Sequence, residues 1–174
     1  AQQLLPITPP RAIRHDNIGR NRDIWPHRRL SWAQYQELAA CRKAAVSHSD
    51  EHYMARALEL ARAQLGKTAP NPSVGCVIVA GGQIVGEGAT GEGGRPHAEE
   101  IALEMAGDLA EGACAYVSLE PCNARHSGAL ACSQLLVQAR VARVVVACED
   151  PHTMAAHGIS RLGAAGVEVL LGVM

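Results

Sequence analysis

The sequence has no run of 18 apolar residues among its 174, so no segment reads as a membrane-spanning helix. Its opening, AQQLLPITPPRAIRHD, lacks the apolar stretch of a signal peptide. Export is therefore not indicated, and the cytoplasm is the default compartment. A disulfide framework is missing as well. Cys76, Cys114 and Cys148 lie in the short apolar runs VGCVIVA, GACAYVS and VVVACED, where a reduced thiol packs as a small hydrophobe. There is no internal repeat and almost no net charge, −1 at pH 7.

The chain is 48% hydrophobic, enough for one core of ordinary size with some length to spare. Its near-neutrality conceals a split, about +5 over residues 1–49 and −6 over the rest. A basic arm suits nucleic acid, but an acidic main domain repels phosphate backbones, so docking of the arm on an acidic protein surface is the favoured reading. Residues 1–49 are expected to form an irregular arm, with a short helix over residues 32–45 and both Trp25 and Trp32 seeking cover. Residues 50–174 are expected to form the domain.

From Ser49 onward the pattern tightens. Ser49, Asp50 and Glu51 resemble a cap and an acidic first turn, and Tyr53, Met54, Ala57, Leu58, Leu60, Ala61 and Leu65 recur at helical spacing, with Gly66 as the stop. SVGCVIV and QIVGEG, separated by Gly81-Gly82, read as a hairpin. HAEEIALEMAG, CSQLLVQA and GISRLGAAG then read as helices alternating with the strands ACAYVSLE, RVVVACED and VEVLLGV. The order αββαβαβαβ predicts a five-stranded mixed sheet between helices, its later strands parallel.

Three elements carry chemistry: His97-Ala98-Glu99, Pro121-Cys122 and Cys132. Each is expected at a helix start, where free N–H groups and the helix dipole favour a thiolate. One imidazole and two thiolates suit zinc, and three protein ligands leave a fourth tetrahedral position for water. Glu99, two residues from His97, is placed to move protons. H-x-E followed by P-C and a second Cys matches the signature of zinc deaminases. A structural zinc site is disfavoured, because it wants a fourth protein ligand.

The stretches YMARALELA, GKTAPNPSVGCVIV, GGQIVGEG, GGRPHAEEIAL, AYVSLEPC, RVVVACEDP and GISRLGAAGVEV resemble the deaminase domain of the riboflavin-biosynthesis pyrimidine-nucleotide deaminases, within the cytidine-deaminase-like superfamily. The resemblance runs from about residue 50 to residue 172. It implies an α/β fold of three layers, α/β/α, a Zn2+ ion on His97, Cys122 and Cys132, Glu99 as proton shuttle, and a homodimer or larger assembly. It further implies an aminopyrimidine substrate with a ribosylamino phosphate, whose exocyclic amine is exchanged for oxygen with release of ammonia. Asn71 matches a position that hydrogen-bonds the ring, and Asp150 opens a segment that is Asp-Pro-Asn-Pro in the family.

Departures bear on substrate more than on reaction. Between the cysteines the family has the eight residues Ser-His-x-Gly-(Arg/Lys)-Thr-Pro-Pro, whereas this chain has the nine residues NARHSGALA. The basic residue that helps hold the phosphate is missing, and Arg125 or His126 is the expected substitute from the same loop. Asp-Pro-Asn-Pro becomes Asp150-Pro151-His152-Thr153, so His152 is a further candidate substrate contact, and His157 follows in place of the family's arginine. The family's reductase domain would begin near residue 174, so the chain is expected to deaminate at most. Alternatives are a deaminase of another small base or nucleoside, suggested by the altered loop, and a non-catalytic binding module, opposed by the four intact site residues. A tRNA-editing deaminase fits poorly, since such enzymes usually place two residues between the cysteines.

Overall fold

The computed structural model describes residues 48–125, 128–152 and 156–174. The arm expected before residue 48, its short helix and both tryptophans lie outside the described residues. Helix α1 spans His48–Ala63 and begins one residue ahead of Ser49, within the usual latitude of a helix end. Strands β1 (Gly75–Ala80) and β2 (Gln83–Ala89) form the hairpin. Then follow α2 (Ala98–Ala106), β3 (Cys114–Val117), α3 (Cys132–Gln138), β4 (Arg143–Val146), α4 (Gly158–Ala164) and β5 (Glu168–Leu171). Short 3-10 turns occupy Glu92–Gly94 and Gly107–Ala110.

The sheet order is β2-β1-β3-β4-β5, with β1 antiparallel to both neighbours and β3, β4 and β5 parallel. Strand period decides the layers. Cys76, Ile78, Ala115, Val117, Val144 and Val146 face one side, where Ala98 and Ala102 of α2, Leu136 of α3 and Leu162 of α4 cover them. Their alternates Val77, Val79, Tyr116 and Val145 face Met54 and Ala57 of α1. Apart from Arg143 at the start of β4, the central strands therefore carry apolar residues toward both faces, as a sheet covered on both sides requires. A fully buried side chain such as Ile78 or Met54 contributes about 1.5–3 kcal/mol. The result is the expected three-layer α/β/α fold with a five-stranded mixed sheet.

Two features fix the layers relative to each other. Gly88 on β2 lets α2 approach, since a Cβ there would overlap the Ala98 carbonyl oxygen. On the opposite face, Asp50 Oδ1 accepts from Tyr116 Oη at 2.8 Å and from Arg143 Nη1 at 3.0 Å, while Arg143 Nε lies 3.2 Å from Glu168. That buried ion pair ties α1 to β3, β4 and β5. One thiol departs from expectation: Cys114 is disulfide-bonded, whereas Cys76, Cys122, Cys132 and Cys148 are free. None of the described helices is long and apolar enough to cross a membrane.

Candidate metal centre and active-site cleft

The topology gathers the chemistry at one end of the sheet. Because β1 runs antiparallel to β3 and pairs Cys76 with Val117, its entry, including Asn71, lies beside the exits of β3 and β4. The segments after β2, β3 and β4 open at the same end. There they enclose a cleft of about 290 Å³ lined by His97, Glu99, Cys122, Asn71, Arg95 and Glu120 among others. Ligands of open α/β sheets bind in such crevices beyond the carboxyl ends of parallel strands.

His97 occupies the N-cap position of α2, and its backbone N–H donates to Glu100 Oε2 at 2.7 Å, which fixes the first turn carrying Glu99. Cys132 is the first residue of α3, whose N-cap N–H, on Ala131, donates to Gln134 Oε1 at 2.9 Å. The helix-start expectation needs correction for Cys122, which lies in the irregular segment between β3 and α3. Its local sequence carries the proline that precedes it, but the helix begins ten residues later. Cys122 nevertheless uses that helix start: the Cys132 N–H donates to its sulfur at 3.3 Å, and Ser133 donates to its carbonyl through both N–H and Oγ.

His97 Nδ1 stands 3.3 Å from Cys132 Sγ and 3.8 Å from Cys122 Sγ, and the three donor atoms lie within 4.8 Å of one another. Both cysteines are buried and His97 is half-buried, and its other ring nitrogen, Nε2, is buried with no hydrogen-bond partner among the described residues. A hydrogen bond from Cys132 holds the Cys122 thiol down at about 3 against the opposing effect of burial, with help from His97, the Cys132 N–H and Arg125. Cys132 moves the opposite way, pushed up by giving that proton and by burial. Glu99 is 3% exposed, and burial raises its carboxyl above the ordinary range, reinforced by the Cys122 charge and opposed by hydrogen bonds from its own backbone N–H and Cys132.

The other expected contacts distribute unevenly. Asn71, Arg125, Asp150 and His152 all border the cleft, and His126 lies outside the described residues. Asn71 Nδ2 donates to the Gly94 carbonyl at 2.7 Å, which leaves its amide oxygen for another partner. Asp150 Oδ1 accepts from the His152 N–H at 2.8 Å, and His152 is exposed. His157 is exposed at the N-cap position of α4. Arg125 directs its guanidinium to Glu100 and to Cys132 Sγ.

Three further residues escaped sequence reasoning. Arg95, exposed at the rim, is recognisable only once the turn before Pro96 is seen to face the cleft. Glu120 accepts from the Asp150 N–H at 3.2 Å and the Ile159 N–H at 3.0 Å, binding the segment after β4 to the start of α4. Glu100 had a usable signal, since an acid three residues after a helix N-cap marks a reciprocal cap.

An α/β/α sandwich whose imidazole and two thiols converge beside a buried glutamate belongs to the cytidine-deaminase-like class. The family described as "Cytidine and deoxycytidylate deaminase zinc-binding region" matches residues 47–148, and the chain belongs to it. "Riboflavin biosynthesis protein PYRD, chloroplastic" of Zea mays is 52% identical over 133 residues, 75% of this chain and 33% of that protein. "Diaminohydroxyphosphoribosylamino-pyrimidine deaminase" of Buchnera aphidicola is 41% identical over 127 residues, 72% of this chain and 85% of that protein. The solved structure of Acinetobacter baumannii RibD superposes with a TM-score of 0.68 at 48% identity, covering 72% of this chain and 35% of that one. The chain spans about a third of the length of the first two curated relatives it matches.

Proposed function

We propose that this chain is a zinc-dependent hydrolytic deaminase acting on a phosphorylated aminopyrimidine of riboflavin biosynthesis. The observation that carries the reading is the convergence of His97, Cys122 and Cys132 within 4.8 Å on a cleft that also receives buried Glu99. The donor set fits zinc. Tetrahedral Zn–N and Zn–S bonds of ordinary length separate nitrogen from sulfur by roughly 3.6 Å, and the separations here, 3.3 and 3.8 Å, bracket that value. A zinc ion held by these residues supplies an activated water and stabilises charge at the attacked carbon.

The remaining work falls to the chain's own groups. Glu99 takes a proton from the attacking water and delivers it to the adjacent ring nitrogen. A second transfer through Glu99 protonates the exocyclic amine, which leaves as ammonia while the carbon gains its oxygen. Burial of Glu99 keeps bulk water from short-circuiting these transfers. Asn71 orients the ring through its amide oxygen, and Asp150 and His152 border the same cleft. Arg95, the exposed cation at the rim, is suited to an anionic substituent.

A second reading, deamination of an uncharged base or nucleoside, is favoured by the engagement of Arg125 with protein groups. Ammonia release measured on a panel separates the two. The phosphorylated diaminopyrimidine is expected to turn over far faster than its dephosphorylated form or a free base. An inert phosphorylated compound beside a reactive neutral base would overturn the pathway assignment and leave the chemistry standing.

A further inference from the structure

We propose that Arg125 is a positioning residue of the metal centre, coupling the Cys132 sulfur to the helix that carries His97, and that it does not grip the substrate's anion. The inference rests on the reading of His97, Cys122 and Cys132 as metal ligands. Arg125 Nη2 donates to Cys132 Sγ at 3.0 Å and Nη1 to Glu100 Oε1 at 2.9 Å. The other oxygen of Glu100 accepts the His97 backbone N–H at 2.7 Å. A continuous path therefore runs from one ligand, through the guanidinium and one carboxylate, to the backbone of another. Arg125 itself stands three residues after the remaining ligand, Cys122, so all three ligand segments are linked.

The alternative role fits the geometry poorly. An arginine that clamps a phosphate keeps its fork open toward solvent or ligand. Here the side chain is 2% exposed and both terminal nitrogens are directed at protein groups. Charge follows the same logic. A dication, two thiolates and a neutral imidazole sum to zero, and Glu100 balances Arg125, so the cation reaches the sulfur without altering the charge of the centre. Lysine is no equivalent, because a single ammonium does not span two acceptors as the planar fork does.

The test compares the full chain with Arg125→Gln and Arg125→Lys by zinc competition against a chromogenic chelator and by the sulfur-to-cobalt charge-transfer band of the Co(II)-loaded proteins. Loss of a hydrogen bond to sulfur raises its lone pairs in energy, so the band is expected to move to lower energy in both variants. Zinc affinity is expected to fall about 10- to 100-fold, as it does when outer-shell partners of metal ligands are removed. KM for the phosphorylated substrate is expected to stay within about threefold of wild type. The band decides: an unshifted band overturns the proposal, as does a KM raised tenfold or more with both metal readouts unchanged. Should Arg125→Gln fail to fold, Arg125→Lys, of similar bulk, carries the comparison. A wild-type chain that takes up neither zinc nor cobalt overturns the metal reading and this inference together, whereas wild-type binding with indifferent variants overturns this inference alone.

Discussion

Glu99→Gln separates the chemistry of the site from its architecture. Glutamine has the same size and reach as glutamate, so it fills the same buried space on α2, yet it cannot accept a proton from water and return it. Proton transfer by a positioned side chain is worth 10² to 10⁴ in rate, and at 1.36 kcal/mol per decade the barrier rises by about 2.7–5.4 kcal/mol. The fold tolerates the same change. Glu99 is 3% exposed and burial raises its carboxyl above the ordinary range, so a neutral amide suits the same buried space at least as well. Activity and stability are thus expected to diverge. In ammonia-release assays at saturating substrate kcat falls 10²- to 10⁴-fold, metal analysis still finds one zinc per chain, and the thermal midpoint is no lower than that of wild type. A kcat within threefold of wild type refutes the proton-shuttle role. Loss of zinc along with activity refutes the reasoning too, since it makes Glu99 an architectural residue.

Asp50→Ala leaves the Tyr116 hydroxyl without its acceptor and Arg143 with Glu168 alone among the described residues, and is expected to cost about 3–5 kcal/mol, or roughly 6–20 °C in Tm, by denaturant and thermal unfolding; a loss under 1 kcal/mol would show that the pair is not desolvated as described. Gly158→Ala forces a Cβ onto the Pro121 carbonyl oxygen beside Cys122, so unfolding should show a loss of about 1–3 kcal/mol together with weakened zinc binding; unchanged metal affinity would disconnect α4 from the centre. Chelation of zinc should lower Tm reversibly, and free zinc at 1,000 times Kd should restore about 4.1 kcal/mol; a Tm indifferent to zinc contradicts a preformed site. The hydrogen bond from Arg56 lowers the Glu87 carboxyl, so the pair stabilises the fold above the unfolded value of about 4.3 and loses that effect as pH falls through the lower folded value. Glu87→Gln should accordingly be less stable than wild type at pH 7, by a margin that closes at pH 3 and shrinks in high salt.

Element order was legible because each element announces its own period. VGCVIV and the three valines of RVVV are apolar at every residue, and the short helices have turn residues at their ends. Strand order was not, because nothing local to GCVIVA says that it pairs with CAYV as well as with QIVGEGA. The Asp50–Arg143 pair, 93 residues apart in sequence, was equally invisible: each charge reads as a surface residue until the fold buries both. The cluster of His97, Cys122 and Cys132 beside Glu99 was legible by residue type, since imidazole, thiols and a carboxylate in this pattern have few other joint uses. Their setting was less so, as Cys122 borrows the N-terminus of a helix that begins ten residues after it.

The loop between the cysteines shows why specificity resists such reading. A basic residue in NARHSGALA suggests a phosphate contact, because sequence records that a charge is present and not where its fork points. The structure turns Arg125 inward to Cys132 and Glu100, while Arg95, in a turn before α2 that resembles any Gly-rich connection, stands exposed at the rim. Three segments frame the cleft, around residues 71, 95 and 150, and they meet only because β1 enters the sheet where β3 and β4 leave it. The candidate reaction chemistry is therefore legible along the chain from residue type, whereas the cation left exposed at the cleft emerges only from the fold, which turns Arg125 inward and leaves Arg95 at the rim.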